Sequence, residues 1–268
     1  MFSVLLSLYS KESPLYLRDS LESVFSQSLS PDEVVLVEDG PLTSELYAVV
    51  MEFKKKYDKL KVISLPVNSG LGKALNEGLK HCSYDLVVRM DTDDISKPER
   101  FEKQVRFMDS HPDIDVCSAW IEEFNHDVSN IVSVRRLPEK NHEIYQYGKK
   151  RNPVNHPAVI FRKHSVENVG GYQPFYLFED YYLWVRMLMN GSCFYNFQES
   201  LLYFRTGDAM FERRGGLKYA MSECRFQKML YKLGYINVTS MLLNIGIRFT
   251  TRIVPNKLRG WIYKKILR

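Results

Sequence analysis

From residue 2 to about 123 the chain alternates short β-branched runs with stretches whose apolar residues recur at helical turn spacing, and this rhythm restricts the fold more than any other feature. The runs are SVLLSLY (3–9), EVVLVE (33–38), KVISL (61–65), DLVVRM (85–90) and DVCSAWIEEF (115–124). Between them, Leu17, Leu21, Val24 and Phe25, then Leu46, Val49, Val50 and Phe53, mark amphipathic helices. Ser13 before Pro14, and Thr43, are candidate N-terminal caps. Repeated strand–helix units of this length predict an α/β fold, a mostly parallel sheet with helices on both faces.

In such sheets ligands bind beyond the carboxyl ends of the strands. Three polar loops then share one rim: Ser10–Ser13, Asp39–Thr43 and Asp91–Ser96. The last belongs to RMDTDDISKPER (89–100), which sets Asp91, Asp93 and Asp94 within four positions. At ~5 Å and an effective dielectric of ~20, each like-charged pair costs roughly 3 kcal/mol. An EF-hand loop fails as an explanation: Asp91, Asp93 and Glu102 fall at its first, third and twelfth positions, but Ile95 and Ser96 stand at the fifth and at the turn glycine. A helix opened by Ser96, Pro98 and Glu99 would favour negative charge before it, by ~1 kcal/mol. A divalent cation held through one or two of these oxygens, its coordination completed by a diphosphate, offsets the repulsion better.

Other stretches carry chemistry more weakly. In VEDGPLT (37–43), Asp39 either closes a simple turn or accepts the imide N–H of a uracil. NSGLGKALNEGLKH (68–81) places Gly70, Gly72 and Lys73 ahead of a helix, where backbone N–H groups favour an anion. FEDYYLWVRM (178–187) opens a helix with Glu179 and Asp180, which complement its dipole or supply a general base for a hydroxyl. His156 in NPVNHPAVIFRKH is the kind of lone histidine that more often serves structure than a ligand. Arg205, Arg213 and Arg214, with Gly215 and Gly216, read as a loop that closes on phosphates or as a solvated patch.

Beyond residue 125 the rhythm loosens, interrupted by Pro138, Pro153, Pro157 and Pro174, before a helix over 179–190 and strands over 192–197 and 200–206. With 45% apolar and 26% charged residues, disorder is not favoured. Cys82, Cys117, Cys193 and Cys224 are too dispersed for a zinc or redox motif and read as buried thiols of a reducing compartment. MFSVLLSLYSKES lacks a basic leader and a cleavage site and reads as a first strand, and no run approaches membrane-spanning length. Charge is segregated: residues 224–268 hold ten Lys or Arg and no acid, leaving 27 basic against 32 acidic residues elsewhere. Interleaved with Met241, Leu242, Leu243, Ile245, Ile247, Phe249, Trp261, Ile262 and Ile266, that segment suits an anionic membrane surface, or a helix pair solvated on one face and packed on the other.

Taken in order, SVLLSLYSK, SVFSQSL, EDG, NSGLGKALNEGL, DTDD, HPAVIFRK, GGY and the ED of FEDYYLWVRM make residues 3 to about 206 resemble the family 2 inverting glycosyltransferases of the GT-A fold, especially bacterial enzymes of O-antigen and capsule synthesis. The resemblance implies that Ser7, Tyr9 and Asp39 bind uridine, and that Asn68, Gly72 and Lys73 line the nucleotide. Asp91 and Asp93 would form the DxD pair, with Asp93 the direct ligand of Mn²⁺ or Mg²⁺ and Asp91 nearer the ribose or a metal-bound water. Asp94 would face the donor sugar, and Asp180 would be the base with Glu179 beside it in the acceptor site. His156, Arg205, Arg213 and Arg214 are candidates for acceptor or phosphate contacts. Two positions depart from the family pattern: Glu38 precedes Asp39 where two aspartates are usual, and Pro41 replaces a common Ser.

The expected organisation is a GT-A domain over 1–215, with a nucleotide-binding half (1–124) and an acceptor half (125–215), followed by a basic helical region over 216–268. The expected partners are a UDP-sugar, a lipid-diphosphate-linked sugar and an anionic membrane, with no nucleic acid, at the inner face of the bacterial plasma membrane. Two other classes compete. A nucleotidyltransferase would want a Gly-rich basic run after the first strand, which YSKESP lacks. A non-catalytic glycan-binding module would need no positioned base.

Overall fold

A computed structural model describes residues 1–206 and 216–253, with side chains to residue 249. Arg213, Arg214 and the basic residues beyond 253 lie outside the described residues. Strands β1 (Phe2–Leu8), β2 (Glu33–Glu38), β3 (Leu60–Ser64) and β4 (Leu86–Arg89) form the parallel half of one sheet, in the order β3-β2-β1-β4. The crossovers are α1 (Pro14–Phe25), α2 (Ser44–Lys56) and α3 (Leu71–His81). Pro14 opens α1 without a capping side chain, whereas Thr43 Oγ1 accepts the Leu46 N–H at 3.3 Å and caps α2.

Past β4 the sheet becomes mixed. A two-residue β5 (Ile95–Ser96) precedes α4 (Arg100–Ser110), and β6 (Val116–Asn125) turns back into β7 (Asp127–Arg135). After α5 (Asn141–Gly148), β8 (Ile160–Arg162) inserts antiparallel between β4 and β6. Next come α6 (Lys163–Asn168), α7 (Glu179–Met189) and β9 (Phe194–Arg205), which runs parallel to β6 and antiparallel to β5. The two strands expected over 192–206 are one: pairing passes from Ala119↔Phe197 to Trp120↔Ser200, so Gln198 and Glu199 bulge from a continuous strand. The helix expected from Ser96 begins only at Arg100, and Ser96 itself lies in β5. Asp93 and Asp94 are therefore outside its first turn, which removes the helix-dipole explanation for the acidic cluster.

Both faces of the parallel half are covered, as its continuous apolar strands require. Val4, Leu6 and Leu8 pack with α1, α2 and α4 in one cluster, whereas Leu5 joins α3, α7 and the C-terminal helices in the other. Helix α3 lies unusually close to the sheet, because a Cβ at Gly78 would come within 2.4 Å of Leu5 and 2.7 Å of Val37. Helices α8 (Leu217–Lys232) and α9 (Val238–Ile253) complete the chain. Phe226 and Leu230 of α8 are fully buried in the second cluster, and α9 packs back on α8 through Arg248–Glu223 at 2.6 Å and Asn244–Gln227 at 2.9 Å. Cys82 and Cys117 are buried as expected of apolar thiols, while Cys193 and Cys224 are half-buried, and all four are unbridged. Among the described residues no helix is long and apolar enough to cross a membrane.

At the amino end of the sheet, away from the polar rim, Glu33 is 4% exposed. Burial alone would push its carboxyl up, but Lys61, Ser3 and both the N–H and hydroxyl of Ser83 donate to it and bring it down to about 2. A folded-state value below the unfolded one stabilises the fold above the unfolded value of 4.5 and loses that contribution as pH falls toward 2. Glu33→Gln should therefore cost about 3 kcal/mol at pH 7. Denaturant unfolding at a series of pH values should find the difference shrinking between pH 4.5 and 2.

Candidate active site

The ends of β1, β2 and β4 deliver their loops to one rim, and the loops hold one another. Ser20 of α1 donates to the Asp91 carbonyl at 3.0 Å, and Thr92 donates to the Ser7 carbonyl at 3.4 Å. The segment after β4 is thereby fixed against the segment after β1. On it, ligand oxygens of Asp91, Asp93 and Asp94 all lie within 4.8 Å of one another.

Their electrostatics are those of crowded, largely buried carboxylates. Burial, then the neighbouring Asp91 and Glu12, push the Asp93 carboxyl up to about 7. Asp94 is 0% exposed and is driven well above the carboxylate range by burial and by Asp93 and Asp91. Its Oδ1 accepts the Arg205 N–H at 2.9 Å, but its buried Oδ2 has no hydrogen-bond partner among the described residues. Three hard oxygen donors, one of them orphaned, suit a divalent cation. Asp94 was expected against the donor sugar; with no exposed surface, it belongs to the carboxylate cluster instead.

Beneath the cluster lies Arg89, the last residue of β4, 1% exposed and paired through Nη2 with Asp91 Oδ1. Its Nε and Nη1 find no hydrogen-bond partner among the described residues. The guanidinium charge is felt across the site: it favours the ionised forms of Asp93, Asp94 and Asp180, and with burial it keeps His156 neutral. The end of β4 is closed by a second buried cation, Arg100, which donates to the Arg89 carbonyl at 2.8 Å and to Ser96, Gln104 and Val159.

Asp39 is 4% exposed, and its two oxygens accept the N–H groups of Ser69 at 2.6 Å and Gly70 at 3.0 Å. Asn68 adds a bond to the Asp39 carbonyl at 3.2 Å. Asp39 thus orders the loop before α3 and keeps further lone pairs for a ligand. Gly40, at φ +86°, is required where it stands, because a Cβ would come within 2.5 Å of the Asn68 nitrogen. Ser7 and Tyr9 are half-buried on the same rim, and Lys73 is exposed. Gly72 is buried, and a Cβ there would meet Tyr172 and Glu179 at 3.4 Å, an ordinary van der Waals contact.

Glu179 and Asp180 form the first turn of α7, which Tyr181, Leu183, Trp184 and Met187 anchor in the core. Burial raises both carboxyls, Glu179 further through Asp180 and Asp180 slightly through Asp91. Asn152 donates to Asp180 Oδ2 at 2.7 Å and favours its ionised form. Asn76 of α3 clamps the loop before α7, donating to the Tyr172 carbonyl at 2.6 Å and accepting its N–H at 2.8 Å. Sequence reasoning missed Arg89, Asn152 and Asn76. An arginine ending an apolar strand was the available signal for the first, but the partners of both asparagines are distant in sequence.

Two candidates take structural places. His156 is buried against Trp184 and bonded through Nε2 to the Tyr172 hydroxyl at 2.8 Å, so its ring supports the pocket wall. The Arg205 guanidinium donates to the Asp93 carbonyl and to Asp19, each at 2.9 Å, and lies 4.0 Å from the Tyr16 ring centroid. With Nε and Nη2 engaged there and its side chain 8% exposed, Arg205 braces the acidic loop.

Residues 3–169 match Glycosyl transferase family 2. The chain is 42% identical over 267 residues to the UDP-Gal:alpha-D-GlcNAc-diphosphoundecaprenol beta-1,3-galactosyltransferase of Escherichia coli, covering 100% of this chain and 96% of that one. It is 42% identical over 268 residues to the amylovoran biosynthesis glycosyltransferase AmsE of Erwinia amylovora, with 99% and 98% covered. Among solved structures, S. aureus TarS 1-349 in complex with UDP-GlcNAc shares the fold at a TM-score of 0.67 and 20% identity, over 99% of this chain and 76% of that one.

Proposed function

The chain belongs to glycosyl transferase family 2, and from that membership we propose that it moves a hexose from a UDP-sugar to a hydroxyl of a polyprenyl-diphosphate-linked saccharide, with inversion, in bacterial surface polysaccharide synthesis. The observation that carries this reading is the carboxylate triad after β4, its oxygens within 4.8 Å of one another beside buried Arg89, together with a base candidate at the start of α7 that Asn152 holds at 2.7 Å. A family relative that acts on UDP-Gal and GlcNAc-diphosphoundecaprenol makes those the first donor and acceptor to test.

In this mechanism Asp180 accepts the proton of the acceptor hydroxyl as the oxygen attacks the anomeric carbon. Asn152 holds the carboxylate so that one oxygen remains for that proton, and Glu179 shapes the acceptor side of the pocket. Asp39 and the 68–70 loop, with Ser7, Tyr9 and Lys73, bind the nucleotide. Asp93, aided by Asp91 and Asp94, would hold Mn²⁺ or Mg²⁺, which would supply positive charge to stabilise a diphosphate leaving group. A single displacement turns an α-linked donor into a β-glycoside. Residues 1–124 serve as the donor half and 125–215 as the acceptor half, at the cytoplasmic face of the plasma membrane.

The test incubates the protein with UDP-galactose, UDP-glucose or UDP-N-acetylhexosamines, Mn²⁺ and a synthetic GlcNAc-diphosphate-lipid, and reads the product anomer by proton NMR coupling. A retained α-linkage, or no transfer from any of these donors, would remove the reading. Asn152→Ala withdraws a bond that favours ionised Asp180, so the acidic limb of the kcat/KM profile should move to higher pH. At neutral pH kcat should fall roughly tenfold. A limb that stays in place would separate Asn152 from the base.

A further inference from the structure

Helix α9 leaves an apolar stripe bare. Val238, Leu242, Leu243 and Ile247 are 48%, 61%, 61% and 55% exposed, while the opposite side carries Asn244 and Arg248 into α8 and the segment after α5. The neighbouring outer arc of α8 exposes Arg225, Lys228 and Lys232 with Met221 and Tyr231, and its one acid nearby, Glu223, is buried against Arg248. From residue 224 onward the sequence has ten basic residues and no acid. A helix pair with a bare apolar stripe on one member and exposed cations but no exposed acid on the other is complementary to one surface in particular, the boundary between acyl chains and anionic headgroups.

The placement of α9 adds a second argument. Asn244 donates to the Lys149 carbonyl at 2.9 Å, and Arg248 donates to the Lys150 carbonyl. Two residues further along the chain, Asn152 holds Asp180. The bare stripe therefore sits on the helix that braces the base-holding segment, with exposed Lys150 between them.

We propose that the outer face of α9, with Arg225, Lys228 and Lys232 of α8, docks on an anionic lipid bilayer and so presents the acceptor side of the active site to the membrane. The apolar side chains enter the interface and the cations meet lipid phosphates. The attachment is peripheral, on one helix face. This rests on the lipid-linked acceptor proposed above, but it is tested by binding and not by turnover.

The full chain should sediment with phosphatidylglycerol-containing vesicles and hardly at all with pure phosphatidylcholine, with release on raising salt. Leu242→Ser with Leu243→Ser should weaken partitioning at least about tenfold, and Lys228→Glu with Lys232→Glu by a similar factor. Transfer to a short-chain, water-soluble acceptor analogue without vesicles should be unchanged in both variants, which also verifies that they fold. No binding of the wild type, or equal binding of the Leu242/Leu243 variant, overturns the proposal. So does a wild-type dimer in sedimentation velocity that the same variant dissociates, which would assign the face to a second copy. Failure of transfer by the wild type to the soluble analogue would instead count against the proposed reaction and leave the vesicle result standing.

Discussion

Asp180→Asn is expected to lower kcat by about three orders of magnitude while leaving KM for the UDP-sugar within about twofold, because a general base contributes typically 10²–10⁴ to rate and does not touch the nucleotide. The change is nearly isosteric. The amide can still bond Asn152, and burial already disfavours the charged form of Asp180, so the fold should tolerate it. Two controls make the loss specific: UDP binding by calorimetry should be unchanged, and slow hydrolysis of the donor without acceptor should persist. If Asp180→Asn retained more than a tenth of wild-type kcat while Glu179→Gln did not, the base would be Glu179, which shares the first turn of α7 and is likewise raised by burial.

Asp93→Asn should move activity and stability in opposite directions. Without a cation, the folded protein holds the Asp93 carboxyl at about 7 against an ordinary value of 3.8. An acid whose folded value lies above its unfolded value costs stability once pH exceeds the unfolded value, and the full cost is reached above the folded one. For Asp93 that penalty builds between pH 3.8 and about 7 and is roughly 4 kcal/mol at its largest. In EDTA at pH 8 the variant should thus melt several degrees higher than the wild type, at about 2–4 °C per kcal/mol for a chain of this size. Mn²⁺ should raise the wild-type Tm and barely move that of the variant, and kcat should fall at least about a hundredfold. A variant that melts lower in EDTA, or that still responds to Mn²⁺, would place the cation elsewhere.

The parallel half of the sheet was legible because its strands are buried on both faces and its helices on one, which prints two distinct periods on the sequence. Val4, Leu5 and Leu6 in β1, or Leu46, Val49, Val50 and Phe53 in α2, leave little choice of element. The mixed half was harder for the same physical reason. Strand β7 is exposed along most of its length, so it has no buried face to impose alternation, and two-residue β5 exists only by pairing with β9. The acidic rim could be placed by topology, but the division of labour within it could not. Asp94 and Asp93 are neighbours in sequence, yet one is fully buried against the Arg205 backbone and the other only partly so. Arg100 shows the limit most clearly: in SKPER it reads as a solvated helix start, while in the fold it is completely buried, closing β4 and brought down to about 9 by burial.

The seam between α3 and α7 bears on how such enzymes can be recombined. A Cβ at Gly72 would lie in van der Waals contact with Glu179, and Asn76 grips both backbone groups of Tyr172, so α3 also backs the first turn of α7, where the proposed base stands. A chimera that took its acceptor half from a relative, with a junction near residue 124, would cut through this seam. It should fold and turn over only if the donor-half sequence keeps a small residue at 72 and an amide at 76, or if α3 travels with the graft. If the proposed acceptor half sets acceptor preference, that preference is inherited as a block that reaches back into the first third of the chain.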